Sequence, residues 1–230
     1  MRLHIMNNDI TIVTVCKGRL DFLKQTLPTT LKIKGVKEII IVDDSCPDGT
    51  AAWVKSLKEP RLRVIELNNS KFNVSRARNA GAKEIKTPWI FFRDADVHVK
   101  IIRFDQYQKE GTYSWLNYLE VQGVNPGTVG SLLVQKIDFD NVGGYCEDVV
   151  GWGYEDIHII RCLGSTGLQS NTLDHRLFEH IEHPDALRTR FYDYKDRMRS
   201  HEININNLCK KPFNYKRWTE IREPCPSQPH

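Results

Sequence analysis

The first hundred residues alternate between short apolar runs and segments whose apolar residues recur at helical spacing. Near-continuous apolar strands separated by helices are typical of a parallel sheet that is covered on both faces. The pattern therefore predicts an α/β fold, and Pro28 is expected to kink or shorten the first helix. Strands are predicted at 10–15, 38–42, 62–67 and 89–92, and helices at 20–31, 51–57 and 75–85.

The pattern becomes less regular after Asp96, where aromatic residues and glycine-rich turns are scattered along the chain. No linker, repeat or low-complexity stretch separates the two halves. At ~100–200 residues per domain, the 230 residues are predicted to form a single domain. The second half is predicted to contain strands at 128–135 and 172–178 and helices at 155–163 and 184–200.

The charge, the apolar runs and the cysteines of the sequence exclude several classes of protein. The 33 Lys and Arg residues against 29 Asp and Glu residues give a net charge of +4, which is too mild and too evenly spread to predict a nucleic-acid partner. No apolar run approaches the ~20 residues of a membrane span, and the polar start at 1–9 predicts no signal peptide. The six cysteines contain no CxxC pair, which favours reduced thiols. We therefore expect a cytoplasmic protein.

Polar residues follow the predicted strands at the point where each one ends. Thr14 lies near the end of the first strand, Asp43 and Asp44 follow the second, and Asp94 and Asp96 follow the fourth. Ligands of open α/β sheets bind at this edge. Alternation places Asp94 and Asp96 on the same side, where two like charges need a cation. Mg²⁺ or Mn²⁺ bridging phosphate oxygens suits such a pair, although a lone acidic pair is also common in turns and helix caps.

His180 and His183 lie three residues apart after the strand-like segment. Taken alone, the two side chains are equally well explained as surface histidines. Beside Asp94 and Asp96 they become candidate metal ligands, and a mixed set of carboxylate and imidazole favours Mn²⁺ over Mg²⁺.

The string GWGYED at 151–156 is the most specific in the sequence. Its two glycines allow a tight turn, Trp152 offers a flat face, and Glu155 and Asp156 lie where a helix is predicted to begin. Acidic residues there are stabilised by the helix dipole, which is a purely structural explanation. The alternative is a sugar site, in which a sugar ring stacks on the indole while the carboxylates bind hydroxyls or one acts as a general base.

Together these strings resemble the family 2 glycosyltransferases of the GT-A fold. The second half is also similar to the galactosyltransferase-type domain of the animal β-1,4-galactosyltransferases and of bacterial chondroitin-type polymerases. The matching strings are VDDSCPDGT at 42–50, FN at 72–73, RNAG at 78–81, DAD at 94–96, GSL at 130–132, GGY at 143–145 and GWGYED at 151–156. The resemblance implies a nucleotide-sugar-binding half (1–98), a merged acceptor and metal half (99–200) and a C-terminal extension (201–230).

The resemblance implies an inverting, metal-dependent transfer of a hexose or N-acetylhexosamine, with the Gal or GalNAc type favoured. The implied donor is a UDP-sugar, and the implied acceptor is a hydroxyl of a glycan or a lipid-linked saccharide, which would gain a β-linkage. On the donor side, Thr14 and Asp44 would contact the uridine, Arg78 would assist on the nucleotide side, and Asp94 would face the ribose or the metal.

The resemblance further implies that Asp96 and His183 ligate the metal, with His180 at the position of a second histidine ligand in some relatives. Mn²⁺ is the implied cofactor, with Mg²⁺ as the alternative.

The resemblance places the acceptor sugar against Trp152, Gly153 and Glu155, and it makes Asp156 the general base. Tyr154 and the two residues at 157–158 depart from the pattern of the animal enzymes, so the identity of the acceptor stays open.

Two other functions are compatible with parts of the pattern. A metal-dependent nucleotidyltransferase would share the acidic metal site but has no need of Trp152 beside paired acids. A non-catalytic sugar-binding module of the same fold could lose Asp96, His183 or Asp156, and all three are present. Basic and aromatic residues mixed at 210–218 also allow a peripheral contact with an anionic membrane surface.

Overall fold

The computed structural model describes residues 9–101, 103–117, 122–123 and 125–208. These residues form a seven-stranded sheet in the order β3-β2-β1-β4-β7-β6-β8, and β5 pairs with β9 in a separate two-stranded sheet. The strands are β1 (Ile10–Cys16), β2 (Val36–Asp44), β3 (Leu62–Leu67), β4 (Trp89–Asp94), β5 (Val97–Val99), β6 (Thr112–Trp115), β7 (Leu132–Gln135), β8 (Gln169–Thr172) and β9 (Phe178–His180).

The helices cover both faces of the large sheet, as the alternating pattern predicted. They are α1 (Leu20–Thr30), α2 (Thr50–Ser56), α3 (Val74–Lys83), α4 (Lys136–Asn141), α5 (Glu155–Ser165), α6 (Asp185–Thr189) and α7 (Arg197–Leu208). None of the helices among the described residues is long and apolar enough to cross a membrane.

The four strands of the first half are parallel. β1 pairs with β2 and with β4, and β2 pairs with β3, all in parallel register. Adjacent side chains of β2 point to opposite faces, so that Ile39 and Ile41 join the apolar cluster under α1 while Ile40 and Val42 join the cluster under α3. Burial on both faces explains why these strands are almost continuously apolar.

The sheet as a whole is mixed, because the strands of the second half, whose direction the sequence did not predict, join the four parallel strands in both directions. β7 runs antiparallel to β4 and to β6, and β6 is parallel to β8. Apolar runs such as Leu132–Gln135 show that a strand is buried but contain nothing that fixes its direction. The direction follows from the connection, in whose described part a 3₁₀ turn at Pro126–Thr128 precedes β7.

Pro28 does not end the first helix. α1 continues to Thr30, and Leu31 N–H still donates to Leu27 O at 2.9 Å. The carbonyl that loses its partner is that of Lys24, and both Lys24 and Pro28 lie on the exposed face of the helix. Water can replace the missing donor there, so the helix tolerates the proline.

Three predicted elements of the second half are wrong in their extent. The strand predicted at 128–135 begins only at Leu132, after a 3₁₀ turn at Pro126–Thr128. Residues 172–178 are not one strand, because β8 ends at Thr172 and a 3₁₀ turn at His175–Leu177 precedes β9. The charged segment 184–200 is not one helix, since α6 ends at Thr189 and α7 begins at Arg197.

Candidate active site

A cavity of about 250 Å³ lies at the carboxyl ends of β1 and β4, where the strand ends predicted a ligand site. Its wall is built from both halves of the chain. The lining includes Lys17, Arg19, Phe72, Arg78, Asp94, Asp96, Gly130, Trp152, Gly153, Glu155, Asp156, Arg188, Phe191, Tyr192 and His201.

One ionic group in this wall, the Arg78 cluster, consists of Arg78, Asp94, Glu155 and Asp156. The guanidinium of Arg78 donates to Asp94 Oδ1 at 2.9 Å and to Asp156 Oδ1 at 2.6 Å, and it lies 3.5 Å from Glu155 Oε1. Arg78 is only 3% exposed, and its guanidinium lies 4.9 Å from the ring centre of Tyr145. Three carboxylates therefore share one buried cation.

Helix α3 positions this cation. The side chain of Asn73 caps the helix by accepting a hydrogen bond from Arg76 N–H at 3.0 Å. Asn79 then fixes the turn that follows α4, because its amide donates to Tyr145 O and accepts from Tyr145 N–H. A Cβ at Gly81 would lie 2.7 Å from Val13 Cγ1, so glycine there lets the helix pack directly on the sheet.

Burial raises the pKa of two acids in the Arg78 cluster, Glu155 and Asp156. Burial raises the pKa of Asp156 to about 8, against the opposing charge of Arg78 and with support from the charges of Glu155 and Asp94. For Arg78, burial disfavours the charged form, but the charges of Asp156 and the other acids hold its pKa well above the ordinary value. Asp156 can therefore hold a proton near neutral pH.

A second group, the Asp96 cluster, consists of Asp96, His180, His183 and Arg19. One oxygen of Asp96 lies 2.9 Å from His183 Nε2 and 3.8 Å from His180 Nε2. Candidate ligand atoms of these three residues all lie within 4.8 Å of one another. The small sheet brings them together, since Val97 pairs with His180 and Ile181 N–H donates to Asp96 O at 2.8 Å.

The Asp96 cluster fits a divalent transition metal. One carboxylate and two imidazoles are the donor set that Mn²⁺ and related ions accept, and two nitrogen donors make Mg²⁺ a poorer match. Burial opposes ionisation of Asp96, but the hydrogen bond with His183 and the charge of Arg19 lower its pKa, so the carboxylate is ready to bind a cation.

Arg19 is the residue of this cluster that sequence reasoning missed. Its guanidinium donates to Asp96 Oδ2, and Nη1 lies 2.8 Å from His183 Nε2. The guanidinium of Arg19 thus contacts the same two atoms, Asp96 Oδ2 and His183 Nε2, that would bind a metal. The available signal was the basic string Lys17-Gly18-Arg19 directly after β1, at the edge where anionic ligands are expected.

The GWGYED loop is shaped by unusual backbone angles and held by helix α7. Gly151, Gly153 and Tyr154 all have positive φ, and for Tyr154 the value is 74°. Ser200 Oγ accepts from Trp152 N–H at 3.2 Å and donates to Trp152 O at 2.9 Å. Asn204 Oδ1 accepts from Val150 N–H, and its amide donates to the carbonyls of Val150 and Gly153 at 3.0 and 2.8 Å. Two buried side chains therefore satisfy the backbone of the loop.

Trp152 lies in the cavity wall with charged and aromatic neighbours. The guanidinium of Arg197 lies 4.6 Å from a ring centre of the indole. The imidazole of His201 lies 6.1 Å from the indole and 5.9 Å from the ring of Tyr154. These two α7 residues were also missed from the sequence, because nothing within α7 itself signals a contact with residues about fifty positions earlier.

Thr14 and Asp44, predicted to contact a nucleotide, are fully buried at the ends of β1 and β2 and are not among the described residues that line the cavity. Asp44 Oδ1 accepts from Asn69 at 2.8 Å, and Lys17 Nζ donates to Asp44 O at 2.7 Å. Within the described part of the chain, Thr14 Oγ1 and Asp44 Oδ2 are buried with no hydrogen-bond partner.

Gly130 shows how tightly the cavity floor is packed. A Cβ at this position would collide with the carboxylate of Asp94 and would lie 2.9 Å from Arg78 Nη2. Glycine in the GSL string is therefore required by the Asp94–Arg78 ion pair.

Two family models match this sequence. Residues 11–103 match the model described as glycosyl transferase family 2, and residues 117–184 match the model described as the N-terminal domain of galactosyltransferase. The succinoglycan biosynthesis protein ExoO of Rhizobium meliloti (strain 1021) is 32% identical over 93 residues, which are 40% of this chain. The match spans 26% of the length of that protein.

Solved structures of glycosyltransferases share the fold. The mannosyltransferase PcManGT from Pyrobaculum calidifontis, in complex with GDP-Man and Mn²⁺, matches with a TM-score of 0.59 at 15% identity over 71% of this chain and 54% of its own. S. aureus TarS 1–349 in complex with UDP matches with a TM-score of 0.61 at 14% identity over 84% of this chain and 68% of its own.

Proposed function

We propose that this chain, which matches the glycosyl transferase family 2 model over residues 11–103 and shares the fold of the solved glycosyltransferases, transfers a hexose or N-acetylhexosamine from a UDP-sugar to a hydroxyl of a glycan or lipid-linked saccharide. The transfer is inverting and metal-dependent, it forms a β-linkage, and Gal or GalNAc is the favoured sugar. The observation that carries the proposal is the meeting of the Asp96 and Arg78 clusters in the wall of one cavity.

Asp96, His183 and His180 are the residues that would hold the metal, because their ligand atoms converge within 4.8 Å. A bound Mn²⁺ would supply Lewis-acid neutralisation of the charge on the leaving diphosphate. Binding requires Arg19 to give up its contacts with Asp96 and His183. Arg78 and Asp94, an ion pair in the cavity wall, are proposed donor contacts. Thr14 and Asp44 complete the donor side as proposed contacts of the uridine.

Asp156 is the proposed general base. Its carboxylate would accept the proton of the acceptor hydroxyl while the hydroxyl oxygen bonds to the anomeric carbon and the bond from that carbon to the diphosphate breaks. The oxocarbenium-like transition state resembles that of glycoside hydrolysis. The hydrogen bond from Arg78 orients the carboxylate toward the cavity.

Trp152, Gly153 and Glu155 are the proposed acceptor contacts. Trp152 and Gly153 are fixed by α7, and Glu155 Oε2 is buried without a hydrogen-bond partner among the described residues. One face of the indole lies near Arg197, so an acceptor sugar would stack on the part of the ring that remains open to the cavity.

The arrangement of the whole chain remains part of the proposal. It comprises a donor half (1–98), an acceptor and metal half (99–200) and an extension (201–230), in a cytoplasmic enzyme with a peripheral membrane contact through 210–218. That segment lies outside the described residues.

A panel of sugar nucleotides tests the proposal. Release of nucleoside diphosphate is measured for UDP-Gal, UDP-GalNAc, UDP-Glc, UDP-GlcNAc, UDP-GlcA and GDP-Man, each with Mn²⁺, Mg²⁺ or EDTA. We expect slow, Mn²⁺-dependent turnover of one UDP-sugar that is lost in Asp96→Ala. Turnover of GDP-Man alone, the ligand in the PcManGT complex, would overturn the uridine assignment. Absence of both turnover and UDP binding would favour the sugar-binding module.

A further inference from the structure

Two cysteines lie together beside the candidate donor cavity, at the carboxyl ends of β1 and β2. Cys16 is the last residue of β1, and its Cα pairs with that of Asp43. Cys46 follows β2, and its backbone N–H donates to Asp43 Oδ1 at 2.6 Å. The loop after β2 therefore folds back over the end of β1 and brings the two thiols to the same place.

The contacts of the two sulfur atoms confirm this proximity. The Cys16 and Cys46 thiols lie 3.3 and 3.2 Å from the same hydroxyl, that of Thr50. Cys46 Sγ also accepts from Gly18 N–H at 2.9 Å. The hydrogen bond from Cys16 lowers the pKa of the Cys46 thiol to about 7, helped by Thr50 and Gly18 and opposed by burial and by Asp48.

The two thiols differ in access to solvent. Cys46 is partly exposed, whereas Cys16 beneath it is fully buried. Thiolate character and access together decide which cysteine an oxidant meets first. Cys162 provides the contrast within the same chain, because burial raises the pKa of its thiol to about 11.

We propose that Cys46 and Cys16 form a reversible disulfide at the rim of the cavity. With hydrogen peroxide as oxidant, the Cys46 thiolate attacks one peroxide oxygen, the O–O bond breaks, and the released hydroxide takes a proton to leave as water. The sulfur of Cys16 then attacks the resulting sulfenic acid, and the S–O bond breaks with loss of a second water. Two thiols lose two electrons, and one peroxide becomes two waters. A dithiol reverses the change by exchange.

The disulfide would act on the cavity through the segment 17–19. Turning Cys46 Sγ toward Cys16 removes the acceptor of the Gly18 N–H bond. The flanking residues Lys17 and Arg19 both line the cavity, and Arg19 contacts Asp96. Because Lys17 is a cation of the cavity wall, we expect the oxidised protein to bind UDP, with Mn²⁺ present, more weakly by about fivefold or more, in the range of ordinary coupling between sites. This consequence rests on the proposed function, whereas formation of the disulfide does not.

Peptide mapping of the full chain tests the bond directly. The protein is treated with hydrogen peroxide, alkylated, and digested with trypsin without reductant. Cys16 falls in peptide 3–17 and Cys46 in peptide 38–55, so the disulfide appears as one cross-linked mass that dithiothreitol splits. We expect this species in the wild type and in the control Cys162→Ser, and its loss in Cys46→Ser. In Cys16→Ser or Cys16→Ala we expect Cys46 to remain as a sulfenic acid that dimedone labels.

The peptide map of the wild type tests whether the disulfide forms even if a Cys16 variant does not fold. Recovery of Cys16 in alkylated form while Cys46 becomes sulfinic acid would overturn the proposal, as would a link from Cys46 to any other cysteine. UDP affinity is then compared in the oxidised and reduced protein by calorimetry with Mn²⁺. Equal affinity would overturn the effect on the cavity, and no UDP binding in either state would count against the proposed function instead.

Discussion

Asp94 and Asp96 are two residues apart, yet they belong to ionic clusters of opposite balance. In the Arg78 cluster, three carboxylates surround one guanidinium. In the Asp96 cluster, one carboxylate faces two imidazoles and one guanidinium. In the first cluster, burial raises the pKa of Asp156 and of Glu155, and the neighbouring carboxylates add to this effect. The second favours ionisation of its single acid and lowers the pKa of Asp96.

Because of this difference in charge, the two clusters suit two different chemical roles, although Asp94 and Asp96 are close in the sequence. A carboxyl group whose pKa is raised toward neutrality suits proton transfer, and an ionised carboxylate among nitrogen donors suits a metal. The expectation that Asp94 and Asp96 share one metal ion stays a prediction, and in the structure the two acids have different partners. β4 ends at Asp94, a turn follows, and each acid is paired with its own arginine.

The largest effect is expected from Asp156→Asn. If Asp156 is the general base, the amide removes the proton acceptor, and kcat for transfer should fall by about 10²–10⁴-fold. UDP binding with Mn²⁺ should stay unchanged, because Asp156 lies in the other cluster from the metal ligands. Steady-state transfer and calorimetry measure the two quantities, with the exposed Asp193→Asn as control. Near wild-type transfer would remove Asp156 from the mechanism.

The Asp96 cluster is broken by Asp96→Ala. The only carboxylate among its proposed ligands is lost, so affinity for Mn²⁺ should fall by about 100-fold or more and metal-dependent UDP binding should disappear. Mn²⁺ binding is followed by electron paramagnetic resonance. Glu182→Gln is the matched control, since Glu182 is an exposed carboxylate whose Oε1 lies 3.4 Å from His180 Nδ1. Unchanged Mn²⁺ affinity in Asp96→Ala would contradict the metal assignment.

The raised pKa of Asp156 predicts a pH dependence of the reaction. The base acts only when deprotonated, so kcat/KM should rise by about tenfold per pH unit below the pKa of about 8 and level off above it. Glu155→Gln removes one of the charges that raise this pKa and should move the midpoint to lower pH. Asp193→Asn should leave the midpoint in place. A midpoint that Glu155→Gln does not move would show that the two acids do not interact.

A gain of metal affinity is expected from Arg19→Gln. Arg19 contacts the same atoms of Asp96 and His183 that a metal needs, so its removal should raise affinity for Mn²⁺ by about tenfold, which corresponds to ~1.4 kcal/mol. The readout is Mn²⁺ binding without nucleotide. Arg199→Gln is the control, because that exposed guanidinium pairs with Glu202 on its own helix. Weaker Mn²⁺ binding in Arg19→Gln would contradict competition.

Sequence reasoning predicted best the parts that depend on local pattern. The four parallel strands and the acids at their ends follow from apolar runs and from the position of polar residues after them. Asp96, His180 and His183 were proposed together because carboxylate and imidazole are metal donors, and the structure brings their ligand atoms within 4.8 Å.

What the sequence left open depends on contacts between distant segments. The direction of β7 and the division of 184–200 between α6 and α7 are set by chain connections that periodicity does not record. Arg19 reaches Asp96 across 77 positions, and Ser200 reaches Trp152 across 48. Single polar side chains carry no sign of a partner so far away.

The smallest effect is expected where α7 supports the GWGYED loop. Asn204 makes three hydrogen bonds with Val150 and Gly153. Asn204→Ala removes all three, including the buried one to the carbonyl of Gly153. The loop should loosen around Trp152. KM for the acceptor should therefore rise by several-fold, as expected when the free energy of about one hydrogen bond is lost, and kcat should change less. Affinity for Mn²⁺ should not change, because the proposed metal ligands lie beside β5 and β9 rather than on α7. Asn206→Ala, at an exposed position on the same helix, is the control. If Asn204→Ala weakened Mn²⁺ binding as much as acceptor binding, the substitution would destabilise the protein in general, and Asn204 would have no specific role in positioning the loop.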